Sequence, residues 1–185
     1  MPHCLVNVAI PAGFVPTRRP ESARHFALTN RPPVSLGAFR DPLRLRRCLI
    51  PADGFYEWAR KGASKQPYCF EIREGELFAF AGIWDGWRNA EGQWVKTCSI
   101  LTTTPNRLTS AIHDRMPAIL HPDSYNLWLD PGMQNLAEVC ELLKPFDAGL
   151  MRCYPVSSRI NHVANDEEEC SRPVEIAENQ NRLFV

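Results

Sequence analysis

Nowhere does the chain run for about 18 uncharged apolar residues, so no helix is expected to cross a membrane. No basic segment precedes the short apolar stretch in Met1-Pro-His-Cys-Leu-Val-Asn-Val-Ala-Ile-Pro11, which makes it a poor secretory signal. Also absent is any C-x-x-C pair. The seven cysteines (Cys4, Cys48, Cys69, Cys98, Cys140, Cys153 and Cys170) are odd in number and scattered. That pattern argues against a disulfide framework and a zinc site, and for a reducing, cytoplasmic compartment. Cys69, Cys98 and Cys140 lie in strongly patterned segments and are expected to be small buried hydrophobes. Net charge is missing as well: 21 basic residues balance 21 acidic ones, so the whole-chain sum lends no weight to nucleic-acid binding.

What remains is an ordinary globular composition. At 185 residues, 44% hydrophobic and 23% charged, the chain is long enough for one domain with a proper core. Its 16 prolines and 10 glycines cut it into short elements without a repeat. Strands are expected at Arg47–Ile50, Phe55–Arg60, Tyr68–Arg73, Leu77–Trp84, Trp94–Thr103 and Pro117–Leu120. Glu71-Ile-Arg-Glu-Gly-Glu-Leu77 reads as a hairpin, and Asn89-Ala-Glu-Gly92 as the turn of another. Helices are expected at Asn106–Ile112, Pro122–Leu129 and Met133–Lys144. The fold class is therefore α+β, a strand-dominated mixed single domain with a few peripheral helices. The tryptophans are expected mostly in the core or a groove wall. Residues 1–37, with six prolines and little alternation, read as a poorly patterned leader to a domain spanning 38–185.

Charge is less even in distribution than in sum. Arg40, Arg44, Arg46 and Arg47 crowd into eight residues with one aspartate, Asp41. Such a face can track phosphates, or it can be a solvated loop.

Two segments carry the chemistry. In Pro51-Ala-Asp-Gly-Phe-Tyr-Glu57-Trp58 the Glu57 carboxyl stands between two aromatic residues, and in Ile112-His113-Asp114-Arg115-Met116-Pro117 the His113 imidazole follows Ile112 and precedes an Asp-Arg pair. A carboxylate and an imidazole in partly dry surroundings can meet in one pocket with shifted proton affinities, as acid–base chemistry requires. The same residues also suit a buried glutamate paired to an arginine, with a core histidine joining two loops.

Five segments together resemble the SOS response-associated peptidase family, the abasic-site processing proteins. They are the two above, with Phe39-Arg-Asp-Pro-Leu-Arg-Leu-Arg-Arg47, Phe80-Ala-Gly-Ile-Trp84 and Tyr154-Pro-Val-Ser-Ser-Arg-Ile-Asn161, in order between Ala38 and Val174. The resemblance implies single-stranded DNA with abasic sites as partner, a covalent protein–DNA crosslink, peptidase- and lyase-like activity, and no cofactor or metal. It implies catalytic roles for Glu57 and His113, a hydroxyl of Thr102 in the same pocket, and a phosphate held by Arg115. Arg40, Arg44 and Arg47 would extend the DNA track.

Members of that family begin Met-Cys-Gly-Arg. Loss of Met exposes a cysteine whose amine, with a pKa of about 8, condenses with the open-ring aldehyde before its thiol closes a thiazolidine. This chain begins Met1-Pro2-His3-Cys4, so amine and thiol stand on different residues. Cys4 is the nearest candidate nucleophile. The expectation is thus an abasic-site processing protein, with a catalytically inactive DNA-binding remnant as the alternative. A thiol peptidase acting on other proteins is a third reading, for which no motif couples a Cys to a His.

Overall fold

The computed structural model describes residues 37–61, 64–162, 164–165 and 167–176. The leader assigned to residues 1–37, Cys4 included, lies outside the described residues apart from Gly37.

The architecture grows from one strand. β4 (Phe78–Arg88) opens with Phe78, Ala79, Phe80, Ala81, Gly82 and Ile83, all buried. A continuous apolar run of this kind belongs to a strand covered on both faces. Alternation divides it: Phe78 and Phe80 face one core, Ala81 and Ile83 the other. β4 pairs antiparallel with β1 (Arg47–Ala52) on one side and β5 (Trp94–Ile100) on the other, and Ala79 and Phe80 also pair with β8 (Ile119–Leu120).

A second antiparallel sheet, in the order β2 (Phe55–Lys61), β3 (Ser64–Ile72), β9 (Met151–Pro155), packs on the Phe78/Phe80 side. Phe70, Ile72, Ile100, Met116, Ile119 and Met151 complete that core. The Ala81/Ile83 side is closed by helices: Leu43 from α1 (Gly37–Leu45), Trp128 from α2 (Tyr125–Leu129) and Val139 from α3 (Leu136–Glu141). Two short strands, β6 (Thr102–Thr103) and β7 (Met116–Pro117), pair with each other beside the sheets. The domain is strand-dominated, as composition and pattern imply.

Several expectations need correction. Glu71–Leu77 is not a hairpin, because β3 pairs with β2 and β9 while β4 pairs elsewhere. Its turn, with Gly75 at φ 84° and Arg73 at φ 48°, carries the chain from one sheet to the other. The Asn89–Gly92 turn does join paired strands, Arg88 lying opposite Trp94.

Asn106–Ile112 forms only a 3-10 turn at Thr109–Ala111. The Asn106 side chain accepts from the N–H groups of Leu108 and Thr109 at 3.0 Å each, offering the backbone a substitute for helical bonds. The helix expected over Pro122–Leu129 is a 3-10 turn followed by α2, and Met133–Lys144 shortens to α3 because Asn135 caps it by accepting from Ala137 N–H. Neither α1, which contains Pro42, nor β9 is among the expected elements.

The tryptophans are mostly not core: Trp84, Trp87 and Trp94 are 39%, 48% and 64% exposed, whereas Trp128 is fully buried. Cys69 is buried as expected, but Cys98 is exposed on β5.

Candidate acid–base site

Glu57 shares a face of β2 with Phe55, two residues before it. Phe55 stacks on Phe70 at 4.9 Å and meets Phe80 edge-on at 5.9 Å, so this face looks into the core between the sheets. The Glu57 carboxyl therefore sits at the rim of an apolar core. Burial raises its pKa above the usual carboxylate range, opposed by the nearby His113 imidazole and by a hydrogen bond from the Trp58 backbone N–H; Asp114 pushes it further up.

The histidine arrives from the other direction. Leu108 and Ile112 pack on the same core, and Met116, three residues past His113, is fully buried within it. The loop between is pinned at both ends, which holds His113 within electrostatic reach of Glu57. His113 Nδ1 lies 3.1 Å from the Arg115 N–H, 3.2 Å from the Arg115 carbonyl and 3.3 Å from Asp114 Oδ1. A neutral ring can accept from the first, and an imidazolium can donate to either of the others. The ring can exchange a proton without losing its anchor.

Arg115 turns back on Thr102. Its Nε and Nη2 donate to the Thr102 hydroxyl at 2.9 and 2.6 Å, and Thr102 is itself buried on β6, paired with Pro117. Thr102 thus holds the Arg115 side chain, while the Arg115 backbone meets the His113 ring. Trp58 donates from Nε1 to Asn161 Oδ1 at 2.7 Å, joining the Glu57 strand to the far end of the Tyr154–Asn161 segment.

Asn106 is an organiser that sequence reading missed. Besides capping the turn that leads to His113, its Nδ2 donates to the Phe146 carbonyl at 2.8 Å. Its one visible signal was an asparagine following Thr104-Pro105 at the start of a supposed helix, where it could bond its own backbone.

The basic cluster separates into distinct roles. Arg40 is exposed on α1. Arg44 is half-buried and donates to Gln134 at 3.0 Å. Arg46 donates to the Trp84 carbonyl and reaches Asp85 at 3.4 Å. Arg47 departs from the expected DNA contact, being 8% exposed with Nε, Nη1 and Nη2 engaged by the carbonyls of Trp128, Leu43, Arg44 and Asp130. A guanidinium so occupied fastens α1 to α2 and does not face a phosphate.

Burial pushes the thiols of Cys48, Cys69 and Cys153 up to about 11, which keeps them protonated and weakly nucleophilic. Among the described residues no three His, Cys, Asp or Glu side chains gather as metal ligands would, and no helix is long and apolar enough to cross a membrane.

Residues 21–163 match the family described as SOS response associated peptidase (SRAP). The chain belongs to that family. The match begins within the segment set apart as a leader. Among its relatives, the abasic site processing protein YoqW of Bacillus subtilis is 42% identical over 149 residues, covering 80% of this chain and 64% of that protein. The chicken abasic site processing protein HMCES is 35% identical over 164 residues, covering 77% of this chain and 48% of the relative. The chain therefore spans between about half and two thirds of the length of these relatives. A crystal structure of a protein from Bacteroides thetaiotaomicron superimposes with a TM-score of 0.69 at 34% identity, over 74% of this chain and 60% of that one.

Proposed function

We propose that this SRAP-family protein processes abasic sites in single-stranded DNA. Glu57 and His113 act as the acid–base pair at the opened sugar, and Arg115, steadied by Thr102, sits beside a flanking phosphate. One observation carries the reading: a carboxyl at the rim of an apolar core, its pKa raised by burial, lies within electrostatic reach of a histidine held by a separate loop. The ring's Nδ1 has a partner in both protonation states, as a proton-transferring group needs. The names of the relatives support abasic sites as the substrate.

The chemistry required is proton transfer around a carbonyl. An amine adding to the aldehyde needs a proton delivered to the carbinolamine oxygen, which then leaves as water and gives an imine. A thiol on the same residue adds across the C=N bond, its proton passing to nitrogen, and a five-membered ring closes. A protonated Glu57 or His113 can supply the first proton, and the conjugate base can remove the one shed by nitrogen. Family resemblance would assign the amine and thiol to an N-terminal cysteine, and Cys4 lies outside the described residues.

The test is adduct formation with single-stranded DNA bearing one abasic site, followed on denaturing gels. Glu57→Gln and His113→Gln should slow it by about 10²–10⁴-fold, whereas Glu71→Gln, at a carboxylate that accepts from Arg152 and Tyr154, should not. A heat-stable adduct supports ring closure, and one seen only after borohydride supports an imine. DNA binding with no adduct under either condition would favour a DNA-binding protein without the covalent step. Equal rates in all variants would remove Glu57 and His113 from the mechanism.

A further inference from the structure

β4 and β5 outrun the sheet they belong to. Pairing with β1 ends at Ile83 opposite Arg47, while β4 and β5 continue together from Trp84 opposite Cys98 to Arg88 opposite Trp94. Beyond Ile83 the two strands form a projecting ribbon. By alternation, Trp84, Gly86 and Arg88 share one of its faces with their partners Cys98, Lys96 and Trp94.

That face has a definite construction. The Trp94 ring lies across Gly86, where a Cβ would stand in ordinary contact, 3.5 Å from Trp94 Cε3 and Cζ3. The Arg88 guanidinium lies over Trp94, 5.4 Å from the ring centroid, and the Lys96 ammonium lies 5.9 Å from that of Trp84. Two indoles, 39% and 64% exposed, thus alternate with two cations along one ribbon. Among the described residues no carboxylate of the ribbon shares the face: Asp85 points the other way, beside Arg46, and Glu91 belongs to the turn.

We propose that this face of the β4–β5 ribbon is a stacking surface for unpaired nucleotides, distinct from the Glu57–His113 site, taking the DNA strand away from the lesion. The inference rests on the DNA-binding reading above and deepens it. Exposed aromatic planes match base faces without regard to sequence, and interleaved cations match the phosphates between them. Two tryptophans exposed on one face mark an interaction site, and Lys96 between them speaks against an apolar protein partner, whose interface core is depleted of lysine.

The test measures binding of a fluorescein-labelled, undamaged oligothymidylate of about 16 nucleotides, near the upper site size of a compact single-strand binder. Four proteins are compared: wild type, Trp84→Ala/Trp94→Ala, Trp84→Phe/Trp94→Phe and Arg115→Ala. Both tryptophans are exposed, so the variants should fold, which circular dichroism checks. The alanine pair should weaken binding at least about tenfold, the phenylalanine pair should retain most of it, and duplex affinity should not move. Photocrosslinking with 5-iodouridine should mark Trp84 or Trp94. Wild-type affinity in the alanine pair, with weaker binding in Arg115→Ala, overturns this proposal and leaves the first reading standing. No single-strand binding by wild type overturns both. Unchanged DNA affinity with loss of self-association on sedimentation would make the face an interface between copies and overturn the proposal.

Discussion

Replacing Arg47 separates scaffold from substrate contact more sharply than any other change. Its fork donates to the Trp128 carbonyl at 2.5 Å and the Leu43 carbonyl at 2.6 Å, both buried, and to the part-buried carbonyls of Arg44 and Asp130 at 2.9 and 2.5 Å. Arg47→Met keeps the apolar stem and removes the donors. Water can reach the two part-buried carbonyls in the variant, so leaving them without the guanidinium costs little. The two buried ones stay dry. A hydrogen bond from a charged donor contributes about 1.5–3 kcal/mol, which makes the expected destabilisation roughly 3–6 kcal/mol. In a domain of this size each kcal/mol lowers Tm by about 2–4 °C, so a drop on the order of 10 °C or more should appear by calorimetry. Arg47→Lys keeps a charge but not the planar fork, and should fall between. Binding to single-stranded DNA, measured well below the new Tm, should keep its salt dependence. If Arg47→Met instead melted like wild type while the slope of log K against log salt fell in magnitude by about 0.7, Arg47 would be a phosphate contact and the structural argument would fail.

Arg40 and Arg44 carry the opposite expectation: their double replacement by Gln should reduce the salt slope by about 0.7 for each phosphate no longer neutralised, with little change in Tm. Gly82 sits where a Cβ would come within 2.7 Å of Ile50 Cδ1 and 2.9 Å of Cys48 Sγ, so Gly82→Ala should destabilise by about 1–3 kcal/mol. Ile50→Val removes the nearest clashing atom and should recover part of that stability in the double variant, whereas additive effects in urea titrations would refute the packing account. Glu57 has a folded pKa above its unfolded value, so the stability it contributes is fully present below about pH 4.3 and is lost as pH rises through the folded pKa. The Tm of Glu57→Gln should therefore gain on wild type as pH rises, and the opposite trend would contradict the burial argument. Asn106→Ala should loosen the turn before His113 and lower activity more than Tm, read as the ratio of adduct rate to melting shift.

Strand positions were legible because β4, β1 and β2 carry unbroken or alternating apolar runs that only a pleated layer can bury on the right faces. Which strand pairs with which was not. Glu71–Leu77 has the composition of a hairpin, yet its flanking strands belong to different sheets, a choice made by the core that Phe70 and Phe80 join from opposite sides. Helix ends were misread where a side chain outbid the backbone, at Asn106 and at Asn135. At the site, Glu57 and His113 were visible as ionisable groups beside apolar neighbours, and those neighbours are what fix them: Phe55 two residues before Glu57, and Ile112 directly before His113, are anchored in one core. Arg47 marks where sequence stops being informative. It is one of four arginines in a basic run, and only the backbone carbonyls that close around it in three dimensions distinguish it from Arg40. A charged residue flanked by other charges says nothing of its own about burial, because burial depends on which distant carbonyls need a donor. The exposed tryptophans of the β4–β5 ribbon make the converse case. Their hydrophobicity argued for the core, but the strand they sit on extends past the layers that could cover it, so the length of the hairpin and not the character of the residue leaves them in solvent.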